Sequence, residues 1–115
     1  MAQALRRAVQ KVVVIGDPKG LRVNPVDCLL ARHATMRGCT TLWRQEALTP
    51  YAAVRARTKR LGFGFVETHG WLSVGRAFPA VIAHTIAYKD PHHITAAYAL
   101  HVRERFRVAF RSAAR

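Results

Sequence analysis

The chain has 115 residues and a formal net charge of +13 at pH 7, from 19 Lys and Arg against 6 Asp and Glu. Hydrophobic residues make up 50% of it, which excludes a disordered basic tail, because such a tail lacks the apolar side chains that offset chain entropy. The length suits one domain with one modest core, and the excess of positive charge predicts a polyanionic partner. A GC-rich genome also explains an excess of Arg over Lys, but it does not explain so few acids.

The N-terminal residues are basic and precede the first predicted strand. Arg6, Arg7 and Lys11 occur with no acid before Asp17, a pattern typical of a mitochondrial presequence. We therefore predict that residues 1–10 are a basic extension and that residues 11–115 form a single domain. The expected location is the mitochondrial matrix or the matrix face of the inner membrane.

Three segments begin with a short polar residue followed by proline, a combination that favours the start of a helix. They are Asn24-Pro25, Thr49-Pro50 and Asp90-Pro91. Apolar periodicity then predicts helices over residues 25–37, 50–61 and 91–113. In the last of these, apolar residues recur every four positions, at Ile94, Tyr98, Val102, Phe106 and Phe110.

Strands are predicted where β-branched and aromatic residues cluster, at residues 11–15, 40–44 and 62–68. The order of elements gives a fold class of α/β or α+β, a small single domain of alternating strands and helices with a long basic C-terminal helix. Residues 12–20, VVVIGDPKG, are similar to the strand and loop that open a nucleotide site, but they lack the required glycine spacing. We interpret them as a plain strand followed by a Gly/Pro turn.

The apolar segment 70–88 fits three structures: two strands divided near Pro79, a strand followed by a helix, or a membrane span. Arg76 disfavours the span, because an Arg in the middle of a span costs about 2.5 to 3.5 kcal/mol on insertion scales. Membrane contact through residues 70–88 is left open but not favoured.

Two cysteines, Cys28 and Cys39, are separated by ten residues and lack the paired spacing of a zinc ribbon. We expect two free thiols in a reducing compartment. Cys28 and His33 are conceivable as a nucleophile and its base, but both fall on a predicted core helix.

The remaining polar residues do not predict a metal, a cofactor or catalysis. His92 and His93 are adjacent at a predicted helix start, where they point in different directions and face solvent. Asp17 and Asp90 each precede a proline, and a role in a turn or a helix cap explains both residues without a catalytic function. We predict a protein that is not an enzyme.

Two basic clusters remain. Arg103, Arg107 and Arg111 share one face of the C-terminal helix. The predicted second helix contains four further cationic residues in a stretch of six and has no acidic residue. Unneutralised charge of this kind favours contact with phosphate. The predicted RNA-binding residues are Arg6, Arg7, Arg55, Arg57, Lys59, Arg60, Arg103, Arg107, Arg111 and Arg115.

The Arg-rich, acid-poor composition, the presequence-like start and the basic C-terminal helix resemble the small proteins of mitochondrial ribosomes. This resemblance is one of class and rests on no family motif. It implies a non-catalytic structural component that binds rRNA and neighbouring proteins and does not act as a free monomer. The same features fit an accessory subunit of a respiratory complex or of the mitochondrial ATP synthase, which is the alternative.

Overall fold

The computed structural model describes residues 2–115, apart from the side chains of residues 2, 3 and 6. It shows a small mixed α/β domain that ends in a long helix, as expected from the sequence. The elements are α1 (Ala2–Ala8), β1 (Val13–Ile15), α2 (Pro25–Leu30), β2 (Thr41–Leu42), α3 (Gln45–Arg60), β3 (Gly64–Val66), α4 (His69–Leu72), β4 (Ala77–Phe78), β5 (Val81–Ile82), β6 (Thr85–Ile86) and α5 (Ala96–Ala113).

Strands β1 and β3 pair in parallel, with Val14 opposite Phe65. Parallel strands need a long crossover, and here α2, β2 and α3 supply it. Helix α5 approaches β3 so closely that a Cβ atom at Gly64 would lie 1.9 Å from the carbonyl oxygen of Ala113. Only glycine fits at that contact, which fixes the end of α5 against the start of β3.

The other strands pair antiparallel. β2 pairs with β4, and β5 pairs with β6 in a hairpin whose turn residues, Ala83 and His84, have φ of 52° and 59°. Two residues with positive φ match the twist of a two-residue hairpin. The segment 70–88 thus contains the end of α4 followed by three short strands. Of the three structures predicted for this segment, strands on both sides of Pro79 are the nearest to the observed one. No described helix is long and apolar enough to span a bilayer.

The core lies between α5 and the segments that precede it. Tyr98 of α5 is 1% exposed, and its hydroxyl donates a hydrogen bond to the carbonyl oxygen of Trp71. A buried tyrosine needs such a partner, and burial raises the pKa of Tyr98. The side chains packed around it are Leu21, Cys39, Leu72, Phe78, Ala80, Ala87, Tyr88 and Val102.

Helix α2 begins at Pro25, as predicted. The Asn24 side chain accepts hydrogen bonds from the amides of Val26 and Asp27 at 3.0 and 3.1 Å, which satisfies two free donors of the first turn. The helix ends at Leu30 rather than near residue 37, and the chain then turns through His33, whose φ is 63°.

The two longer helices begin at other residues than the sequence predicts. α3 begins at Gln45 and contains Pro50 in its second turn, although proline cannot donate to the carbonyl of Glu46. α5 begins at Ala96, because the Thr95 hydroxyl accepts a hydrogen bond from the amide of Tyr98 at 3.0 Å. The Asp90-Pro91 pair belongs to a turn before this helix.

Cys28 and Cys39 form a disulfide, with their Cα atoms 5.7 Å apart. The prediction of two free thiols is therefore wrong. The turns after α2 bring the chain back on itself, and residue spacing alone does not reveal this return. Cys39 is 1% exposed, so the bridge ties α2 to the core.

Removing this bridge with the double substitution Cys28→Ser and Cys39→Ser should lower the free energy of unfolding by about 3 kcal/mol, because the bridge restricts the unfolded chain. Urea denaturation of the variant and of the oxidised wild type measures the difference. Reduced wild type is the matched control and should lose a similar amount. Equal transition midpoints with and without reductant would contradict the prediction.

Candidate active site

The segment before α5 forms a tight turn built on the Asp90 side chain. Its Oδ1 atom accepts hydrogen bonds from the amides of His92 and His93 at 2.8 and 2.9 Å. The amide of Lys89 donates to the carbonyl oxygen of His93 at 2.9 Å, which closes the turn. Aspartate favours this geometry because its short side chain reaches its own backbone two or three residues on.

The same carboxylate holds the His93 ring. Nδ1 of His93 lies 2.9 Å from both Oδ1 and Oδ2 of Asp90. Hydrogen bonds from the His92 amide and from the His93 side chain hold the pKa of Asp90 below its usual value, so this carboxyl is ionised at neutral pH. An ionised carboxylate only accepts hydrogen bonds, so Nδ1 of His93 carries a proton toward Asp90. In the tautomer with this proton and no other, Nε2 can accept a proton from another group. A general base with its orienting carboxylate has this arrangement.

Contacts on both sides fix the turn. The amide of Leu21 donates to the carbonyl oxygen of Pro91 at 2.9 Å, and a Cβ atom at Gly20, where φ is 83°, would lie 2.5 Å from that oxygen. On the other side, the amide of Thr95 donates to the carbonyl oxygen of Ala87 at 2.9 Å. The turn is therefore held between the loop after β1 and the start of α5.

A cleft of about 600 Å³ opens beside His93. It lies at the carboxyl ends of the parallel strands, where Asp17 follows β1 and Thr68 follows β3. Ligands bind at this edge in open α/β sheets. Tyr88 also borders the cleft; burial, with the nearby Tyr98 and Asp17, raises the pKa of Tyr88 to about 12.

Among the described residues, no hydroxyl or thiol forms a hydrogen bond with His93. The Ser73 hydroxyl donates to the carbonyl oxygen of His69 at 2.7 Å. Ser112 lies in the last turn of α5, roughly 24 Å along the axis from Ala96. Both cysteines are in the disulfide. No hydroxyl or thiol of the described residues is thus held by His93 as an attacking atom.

The structure distributes the predicted RNA-binding residues over α1, α3 and α5, with Arg115 after the end of α5, and those whose side chains are described are exposed. The side chain of Arg6 lies outside the described part of the chain. Arg55 pairs with Glu67 at 3.1 Å, and Arg107 pairs with Glu104. The clusters on α3 and α5 are thus partly neutralised, contrary to expectation. Those that make no ion pair in the described part are Arg7, Arg57, Lys59, Arg60, Arg103, Arg111 and Arg115.

Sequence reasoning missed the pairing of Asp90 with His93. It interpreted Asp90 as a residue of a turn or a helix cap and His93 as one of two solvent-facing histidines. The turn and the exposure of both histidines agree with that interpretation, but the contact between Asp90 and His93 was not expected. The useful signal was the spacing Asp-Pro-His-His, because a carboxylate at the start of an Asx turn faces the residue three positions later. In the part of the chain that the structure describes, no three His, Cys, Asp or Glu side chains are grouped to hold a metal.

Comparison with known proteins identifies a family for the chain. A family model described as the SGNH domain (fused to AT3 domains) matches residues 1–108. No curated protein and no solved structure matches the chain.

This match corrects four expectations from the sequence. The matched family is not a ribosomal one, so the resemblance to mitochondrial ribosomal proteins is wrong. The predicted rRNA-binding structural role and its alternative, an accessory subunit of a respiratory complex or ATP synthase, fail for the same reason. Because the family is of hydrolase type, the prediction of a protein that is not an enzyme is also overturned. The match covers nearly the whole chain, which therefore belongs to the family of SGNH domains fused to AT3 domains.

Proposed function

We propose that this chain carries the acid–base residues of an acyl-ester hydrolase or acyl-transfer site, with His93 as the base and Asp90 as its orienting carboxylate. The observation that carries the proposal is the contact of Nδ1 of His93 with both carboxylate oxygens of Asp90 at the edge of a cleft. Membership of a hydrolase-type family that is associated with acyltransferases supports this chemistry.

His93 moves one proton in each half of the reaction. Nε2 takes the proton of an attacking hydroxyl as its oxygen bonds to the acyl carbonyl carbon. The tetrahedral intermediate then breaks its bond to the leaving oxygen, which takes the proton back from Nε2. Asp90 stays ionised throughout; it keeps the ring in the tautomer that exposes Nε2 and stabilises the imidazolium that forms.

The attacking hydroxyl determines which reaction follows. Water gives hydrolysis, and an acceptor alcohol gives acyl transfer. A serine that the structure does not show beside His93 would instead attack the acyl group itself and form a covalent acyl-enzyme. Labelling by a fluorophosphonate distinguishes the last route, since only an activated serine forms a stable adduct.

Substituting the histidine tests the proposal directly. His93→Gln should lower kcat/KM for p-nitrophenyl acetate by roughly 10² to 10⁴, the usual contribution of a positioned base. Asp90→Asn should lower it by up to about 10⁴, because the ring loses the acceptor that fixes its tautomer. His84→Asn is the matched control, since His84 is exposed in the β5–β6 turn and asparagine tolerates its positive φ. Rates in His93→Gln equal to the control, or no turnover by the wild-type chain above buffer, would refute the proposal.

The lowered pKa of Asp90 also predicts how stability depends on pH. A carboxyl whose pKa is lower in the folded than in the unfolded state stabilises the fold above its unfolded pKa, about 4, and this contribution disappears as pH falls through the folded pKa. The difference in unfolding free energy between wild type and Asp90→Asn should therefore stay constant from about pH 6 to about pH 5 and shrink as the pH falls from there to about pH 3. Urea denaturation across that range measures it, and a constant difference would argue against the ionised pair.

A further inference from the structure

The cleft beside His93 contains more positive than negative charge. Lys89 and Arg103 border it and are exposed, whereas Asp17 is the carboxylate among its lining residues. Arg103 makes no ion pair with any described residue, unlike Arg107 one turn later, which pairs with Glu104. Its charge helps to lower the pKa of the neighbouring Glu104, but no carboxylate occupies its hydrogen-bonding groups in the described part of the chain. A guanidinium in this state can bind a carboxylate, because its planar fork donates two parallel hydrogen bonds.

The position of Arg103 separates it from the reacting atoms. It lies seven residues after Ala96, the first residue of α5, and therefore about 10 Å along the helix from the end that His93 adjoins. The backbone of Arg103 is thus two helical turns from that end of α5, and its side chain makes no ion pair with Asp90 among the described residues. This separation suits a residue that binds the substrate away from the reacting atoms.

The surface around Arg103 is apolar. The ring of Trp71 packs edge-to-face on Phe106 with centroids 6.4 Å apart, and both residues line the cleft. Ala99 lies four residues before Arg103 on the same helix face, lines the cleft and is exposed, so its small side chain leaves space within the cleft. The volume of about 600 Å³ suits a small molecule, and an apolar chain gains free energy when it leaves water for such a surface.

We propose that this cleft binds an amphiphilic monocarboxylate, with its apolar chain against Trp71 and Phe106 and its carboxylate at Arg103. Arg103 is exposed, so the attraction depends on the two charge-assisted hydrogen bonds of its guanidinium rather than on a low dielectric constant. Asp17 repels a second negative charge, which favours monoanions over dianions. The proposal rests on the proposed function in one respect: it takes the cleft beside Asp90 and His93 as the substrate site, and makes Arg103 the residue that determines specificity.

Binding without turnover tests this site. Octanoate and octanamide have the same chain and differ in charge, so titration calorimetry on the whole chain isolates the contribution of the carboxylate. Octanoate should bind at least about tenfold more tightly, as expected for a charged hydrogen-bonded pair. Arg103→Gln should abolish that preference. Arg111→Gln removes the same charge from the same helix outside the cleft and should keep the preference.

A second variant tests the apolar part of the site. Ala99→Trp places a large side chain in the cleft and should weaken binding of both ligands by tenfold or more, at an exposed position that tolerates the change. Equal affinities for octanoate and octanamide, equal losses in Arg103→Gln and Arg111→Gln, or no binding of octanoate would overturn the proposal. A chain that binds octanoate as described but hydrolyses no ester would contradict the proposed function alone.

Discussion

The Asp90 carboxylate accepts hydrogen bonds from two backbone amides and from the His93 ring, all within one turn. The amide contacts direct the chain from β6 into α5, and the ring contact orients the histidine. Helix α5 in turn carries Tyr98 and Val102 into the core and lines one side of the cleft. One short acidic side chain therefore connects the path of the backbone with the chemistry of the site.

Local signals in the sequence were enough to predict part of the fold. The Asn24-Pro25 start of α2, the positions of the first three strands and the apolar stripe of α5 all follow from residues close together in the chain. The start of α3, the parallel pairing of β1 with β3 and the Cys28–Cys39 bridge depend on contacts between distant segments. Such contacts override local preference, as Pro50 inside α3 shows.

The net charge of the chain led to a wrong prediction of its function, the binding of rRNA. An excess of arginine describes how a surface interacts with anions in general, and it says little about the fold or the reaction that a site performs. The site itself depends on two residues, Asp90 and His93, that each had a satisfactory structural explanation when considered separately. Only the three-dimensional turn shows that they contact each other.

The disulfide has a consequence for where this chain matures. A newly made chain carries two thiols, and the folded domain carries none among its described residues, so two electrons must pass to an oxidant between the two states. Compartments that keep thiols reduced oppose that step, and oxidising ones favour it. The mitochondrial location expected from residues 1–10 stays a prediction. The bridge adds a condition to it, because the chain must at some stage occupy a compartment in which Cys28 and Cys39 can be oxidised.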